Sequence, residues 1–165
     1  MTNPTNHFES LFEYAPISLW EEDFSGIKGF FDELRAQGIT DLSRYLDEHP
    51  TEIEACMRQI KITRVNQRTL EMFGTPTIKD LVKNIDHIFR NEMRVHFRSE
   101  LLALWDGQAY WSGEGINYTL AGDPLNIRLY LTILPECMNN WECVMIAIED
   151  ITPLKRAEMR FHNLF

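Results

Sequence analysis

Long apolar runs are missing from this sequence. Nowhere in its 165 residues do apolar side chains continue for the roughly 18 positions a membrane-crossing helix needs. Positive charge is in deficit: 16 Lys and Arg stand against 25 Asp and Glu, for a formal net charge of -9. That balance repels phosphate backbones, so nucleic acid is not an expected partner. Cysteine is scarce, an odd and scattered set of Cys56, Cys137 and Cys143. Such a set fits reduced thiols of a cytosol better than a disulfide framework, and zinc needs more ligands at set spacings. Cys137 and Cys143 flank a turn at Asn139-Asn140, so they can lie close together. The opening stretch, MTNPTNHFES, has neither the basic start nor the apolar core of a secretory signal. The expected location is therefore cytoplasmic, without membrane contact.

Enzyme motifs are absent too. There is no phosphate loop, no nucleophile elbow and no HExxH helix. Asp86-His87 and the Glu92, His96 pair have no accompanying nucleophile or third ligand. No catalytic residue and no metal site is expected. Without repeats or low-complexity linkers, residues 1–165 read as a single domain.

What is present is a clear succession of elements. Phe8, Leu11, Phe12 and Ala15 predict an amphipathic helix over 7–15, ended by Pro16. A strand follows from Ile17 to Phe24, with Ser18 and Trp20 on one face and Ile17, Leu19 and Glu21 on the other. Residues 26–58 read as a helical insert. Ser25 is placed to cap its first helix, Asp41 its second, and a Thr51–Glu54 capping box its third. Ile60 to Val65 alternates as a half-buried strand does. Asn66 caps a helix closed by Gly74, and Thr77 opens another. His87 falls in a loop before a longer helix from about Asn91 to Trp105, whose stripe is Phe89, Met93, Phe97, Leu101 and Leu104. Three strands close the chain: Tyr110 to Leu120, Leu125 to Ile133, and Trp141 to Glu149. The last is apolar on both faces and belongs in the middle of a sheet. Thr152 as N-cap and Pro153 at the first turn then start a helix over 152–165. Its Leu154, Ala157, Phe161 and Leu164 fall at coiled-coil a and d positions.

This order is α+β, an antiparallel sheet with helices gathered on one face. Four segments resemble PAS domains, in the right order. LFEYAPISLW is similar to the usual entry, a short helix and Pro before the first strand. VNQRTLEMFG resembles the second strand and first helix, where Asn opens the helix and Phe-Gly closes it. GEGINYTLAGDPL is similar to the fourth strand and its turn, and IAIEDITPLKRAE to the last strand and its Asp-Ile-Thr exit. The 26–58 insert departs from the usual short turn. PAS sensors attached to histidine kinases and diguanylate cyclases include some with large helical inserts.

The resemblance implies a PAS-like five-stranded antiparallel sheet, with the insert and flanking N- and C-terminal helices added. It implies a sensory input domain that relays a signal through its last helix to a covalently linked output domain. Asp150 and Thr152 would tie the last strand to that helix. A ligand pocket would lie between sheet and long helix, lined by Phe97, Leu101, Leu104, Leu129, Leu131 and Ile133. Two alternatives stay open. One is a ligand-free module that dimerises through its N- and C-terminal helices and transmits. The other is a haem redox or gas sensor with His96 as iron ligand, although His96 lies roughly 80° from the centre of the apolar stripe, where surface histidines sit. Otherwise no cofactor is expected. Phe89-Arg90-Asn91-Glu92 lacks the cysteine of a flavin light sensor.

Overall fold

The computed structural model describes residues 4–164. The first helix, α1 (Pro4–Glu13), begins and ends earlier than the expected 7–15. Pro4 explains the early start, since its fixed φ suits a first helical turn. Strand β1 (Ser18–Asp23) turns Ser18, Trp20 and Glu22 inward.

The insert forms three helices: α2 (Ser25–Ala36), α3 (Leu42–Glu48) and α4 (Glu52–Gln59). Two of its three expected caps are corrected. Ser25 is the first helical residue, and its N–H is taken instead by Asp23 Oδ1 at 2.8 Å. Thr51 has helical φ and ψ instead of the extended backbone an N-cap takes, and makes no capping bond. Asp41 does cap, accepting from the Arg44 N–H at 3.0 Å.

Strand β2 (Lys61–Val65) leads into α5 (Gln67–Phe73) through Asn66, whose Oδ1 accepts from the Thr69 N–H at 3.1 Å. Gly74 closes α5 with a positive φ of 71°, a conformation that suits glycine. Thr77 caps α6 (Ile78–Lys83), its Oγ1 accepting from the Asp80 N–H. The expected loop at His87 is instead a single helical turn, α7 (Ile85–Ile88), held because Ile88 is buried. The long helix α8 (Glu92–Trp105) buries Met93, Phe97, Leu101 and Leu104 as its stripe predicts, and Glu100 with them.

Strands β3 (Tyr110–Tyr118), β4 (Pro124–Ile133) and β5 (Val144–Asp150) complete one five-stranded antiparallel sheet in the order β2-β1-β5-β4-β3. β5 is central, as its composition predicts. It is covered more fully on one face than the other: Val144, Ile146 and Ile148 are buried, while Met145 and Ala147 are half-buried and Glu149 is exposed. It starts later than Trp141 because that residue has a φ of 59°, outside strand geometry, and its carbonyl accepts from the Phe24 N–H. Between β4 and β5, Cys137 and Cys143 are joined in a disulfide, with Cα atoms 5.6 Å apart. This corrects the expectation of reduced thiols for that pair: the tight connection, with the Leu134 N–H bonded to the Cys143 carbonyl, brings the two together. Cys56 is free and buried.

One core unites sheet and insert. Ile27, Phe31, Leu34, Leu42, Leu46, Ile53 and Cys56 from α2, α3 and α4 join the same buried cluster as Trp20, Leu131 and Ile146 from the sheet. Phe31 stands edge-on to both Trp105 at 5.2 Å and Trp141 at 5.7 Å. Glu54 pairs with Arg94 and Asp47 with Arg98, each at 3.0 Å, so α4 and α3 are tied to α8. On the other side α8 lies close against β3. A Cβ on Gly115 would meet Met93 Sδ at 2.9 Å and His96 Nε2 at 3.1 Å, so glycine sets this approach.

Helix α9 (Thr152–Asn163) has no buried residue. Leu154, Phe161 and Leu164 of its predicted seam are all exposed, so the seam does not pack on the domain, and the helix is tied to the sheet at its first turn. Phe165 lies outside the described residues. No helix among the described residues is long and apolar enough to cross a membrane.

Candidate functional site

Alternation in β1 dictates that the side chain two residues after Trp20 also points inward. That side chain is Glu22. In α8, Glu100 lies three residues after Phe97 and four before Leu104, on the same buried stripe. The fold brings the two carboxyls to one place. Both line a cavity of about 530 Å3 between the inner face of the sheet and the surrounding helices. Both are buried, with relative exposures of 8% for Glu22 and 5% for Glu100.

The rest of the lining is largely apolar. The sheet contributes Ile62, Leu129 and Ile146, and α8 contributes Met93 and Phe97. Phe89 closes one side, and the insert closes another with Met57 and Ile60. Arg58, Lys61 and Asp86 also reach the lining, from exposed positions, so the cavity opens to solvent on their side.

Burial costs a carboxylate part of its hydration. No hydrogen bond or ion pair joins either carboxyl to another described residue. Desolvation pushes Glu22 up to about 8. Desolvation also raises Glu100 well above the usual carboxylate value, and the neighbouring Glu22 adds repulsion. Both acids therefore keep their protons to higher pH than an ordinary carboxyl does.

Of the six residues expected to line a pocket, Phe97 and Leu129 do so. Leu101, Leu104, Leu131 and Ile133 are buried core instead. Their side chains pack into the core between sheet and helices rather than onto the cavity wall. Glu22 and Glu100 were missed: carboxylates are ordinarily taken for solvated positions, although the period of each element puts them inside. His96 is half-buried rather than at the surface. Its ring lies against β3, edge-on to Trp111 at 6.2 Å, and burial lowers its pKa. It is not on the cavity lining, because the glycines of β3 draw that side of α8 onto the strand.

A second constellation anchors β1. The Trp20 indole N–H donates to Ser18 Oγ at 2.9 Å. Thr69 Oγ1 lies 2.7 Å from Ser18 Oγ and donates to Asn66 Oδ1 at 2.8 Å, so Ser18 is the donor to Thr69. Asn66 Nδ2 reaches the carbonyls of Phe12 and Ile17 at 3.0 and 2.9 Å. Asn66 thereby fixes α1, β1 and α5 together.

The exit is built from three contacts. Asp150 Oδ1 accepts from the Thr152 N–H at 2.9 Å. Thr152 is not the N-cap; Ile151 occupies that position and Thr152 begins the helix. Its hydroxyl is turned to the sheet, where it accepts from the Asn126 N–H at 3.0 Å. Lys155 reaches Glu114 of β3 at 3.0 Å, and that hydrogen bond leads the effects holding the Glu114 carboxyl below its usual value.

A five-stranded antiparallel sheet of order 2-1-5-4-3, with helices on its inner face, recurs in known structures. A PAS domain of a protein from Colwellia psychrerythraea superposes with a TM-score of 0.59, covering 92% of this chain and 99% of that one at 12% identity. The chain has the PAS fold. A second PAS-fold structure is a domain of a sensory box sensor histidine kinase/response regulator from Geobacter sulfurreducens. It is 16% identical, covers 87% of this chain and 91% of that one, and has a TM-score of 0.50. A third is the LOV domain of a blue-light-activated histidine kinase from Erythrobacter litoralis, 13% identical, covering 82% and 96%, with a TM-score of 0.53. No family model and no curated protein matches the sequence.

Proposed function

We propose that this PAS-fold chain is a sensory input domain, which binds a small molecule in the cavity and passes the change to α9. The observation that carries the reading is the cavity itself. It is apolar with a few polar groups, and its volume falls within the range of small-molecule sites. Ile146 lies on its wall, and the same strand runs four residues further to Asp150 and the root of α9. A ligand that moved β5 would move the exit, biasing two arrangements of sheet and helix. The domain acts by binding, not catalysis.

The output would be a covalently linked histidine kinase or diguanylate cyclase, in the cytoplasm. The histidine kinases that carry two of the similar PAS-fold domains support the former. Native mass spectrometry of the purified chain, with a thermal-shift screen of small molecules, tests the binding step. A retained or stabilising small molecule is the expected result. A chain that purifies empty and is stabilised by nothing would sink the reading.

Dimerisation is a second element of the proposal. Phe8 and Leu11 of α1, Leu154 and Phe161 of α9, and Leu164 just after it are exposed apolar residues, and neither helix has a buried face. A homodimer through these helices would cover them. Sedimentation should show a dimer that F161E with L164E weakens; a wild-type monomer at micromolar concentration contradicts it. If the dimer forms and the cavity binds nothing, the chain is a ligand-free transmission module.

A further inference from the structure

Each charged residue near the cavity either has a partner or is exposed, except two. Arg58 pairs with Glu54 at 3.7 Å, and Lys61 and Asp86 are exposed to water. Glu22, from β1, and Glu100, from α8, are more than nine-tenths buried and have no hydrogen-bond or ion-pair partner among the described residues. They stand on opposite layers of one apolar space. A structural role for buried carboxyls normally shows as hydrogen bonds to backbone or to a cation, and neither is present.

We propose that the cavity takes an organic cation, with its apolar body against Phe89, Phe97, Leu129 and Ile146 and its positive head directed at Glu22 and Glu100. This rests on the ligand-binding reading above and adds the chemical class. A neutral hydrocarbon would leave two polar groups buried and unsatisfied. An anion would meet carboxyls and no buried cation. A cation satisfies the pair, because opposite charge favours the ionised form of a buried acid.

The charges balance through one proton. With both acids protonated the empty cavity is neutral. A monocation that enters displaces one proton to solvent, which leaves one carboxylate, one carboxylic acid and the cation. No redox or bond-making step is involved. Binding should thus become tighter as pH rises, about tenfold per pH unit below the Glu22 value of about 8, and level off above it.

The probes are benzyltrimethylammonium, whose charge does not titrate, and its carbon isostere neopentylbenzene. Binding is read by calorimetry or ligand-observed NMR between pH 6 and 9. The expected result is a preference of at least tenfold for the cation at pH 8, with close to one proton released per cation at pH 6, in buffers of different ionisation heat, and a release that falls away above the Glu22 value of about 8. In E22Q/E100Q both the preference and the pH slope should vanish while the isostere still binds. Where that variant misfolds by circular dichroism, the proton release in the unaltered chain decides alone. Equal binding of cation and isostere, or cation binding that ignores pH, overturns the inference and leaves the sensing reading intact. Binding of neither probe overturns the inference as well, and native mass spectrometry then judges the sensing reading separately.

Discussion

Glu22 on β1 and Glu100 on α8 enter one cavity from opposite layers, and neither carboxyl has a described partner to offset its burial. Such groups cost stability in proportion to how far they are kept from their unfolded protonation state. Their persistence at the centre of a domain points to a use other than holding it together. Their environment is set by neighbours on several elements: Phe24 after β1, Phe89 before α8, and the end of α4 in the insert.

Stability should fall as pH rises. Glu22 is raised in the folded state to about 8, from an ordinary value of 4.5. Glu100 is raised too. The folded chain therefore holds more protons than the unfolded one above about pH 4.5, and raising the pH favours unfolding. The slope is about 1.4 kcal/mol per pH unit for each acid that stays protonated when folded and is ionised when unfolded. Denaturant melts at pH 5.5, 6.5 and 7.5 should show this decline, and E22Q and E100Q should each flatten it. A wild-type stability that is level across that window contradicts the assignment.

Much of the fold could be read from local rules. Asp41, Asn66 and Thr77 cap their helices through bonds three residues long, so neighbouring sequence contains the whole interaction. The alternation Leu125 to Ile133 and the central place of β5 follow from period two. The failures share a cause. Leu101, Leu104, Leu131 and Ile133 are as apolar as Phe97 and Leu129, and tertiary packing rather than sequence pattern decides which of them meet empty space. The partnership of Cys137 with Cys143 depended on a turn conformation, and the contact of the insert with α8 on tertiary packing. Glu22 and Glu100 were legible by period and overlooked by chemistry.

Truncating the exit should loosen α9 without unfolding the domain. Asp150 gives the Thr152 N–H its partner, and Thr152 Oγ1 gives one to Asn126. Removing a side-chain bond of this type at a helix start costs about 1 kcal/mol. Because α9 buries none of its residues, that cost falls on the helix start and, for Thr152, on the Asn126 N–H of β4. D150A and T152A should speed amide exchange in α9 about fivefold while amides of β5 keep their protection. Unchanged exchange in α9 would show that these bonds do not hold the exit.

The disulfide should be a modest staple. The six-residue separation of Cys137 and Cys143 closes a small loop, and in the chain-entropy account such a loop adds on the order of 2 kcal/mol. Reductant should lower Tm by about 4–8 °C for a chain of this size. C137S/C143S should start at the lower value and ignore reductant. An identical Tm with and without reductant would mean that the bond contributes nothing under those conditions.

The close approach of α8 to β3 gives the last test. Gly115 leaves room for Met93 Sδ and the His96 ring, which a Cβ would meet at 2.9–3.1 Å. Met93 also lines the cavity, so the same contact places one wall of the candidate site. G115V would force α8 outward or push the histidine toward solvent. Overpacking of this kind costs about 1–3 kcal/mol. It should also raise the His96 pKa toward its ordinary value, since burial is what lowers it. NMR titration of the His96 ring reads that shift independently of the melt. A variant as stable as the parent, with an unmoved His96 titration, would show that β3 tolerates a side chain there and that glycine does not set the helix position.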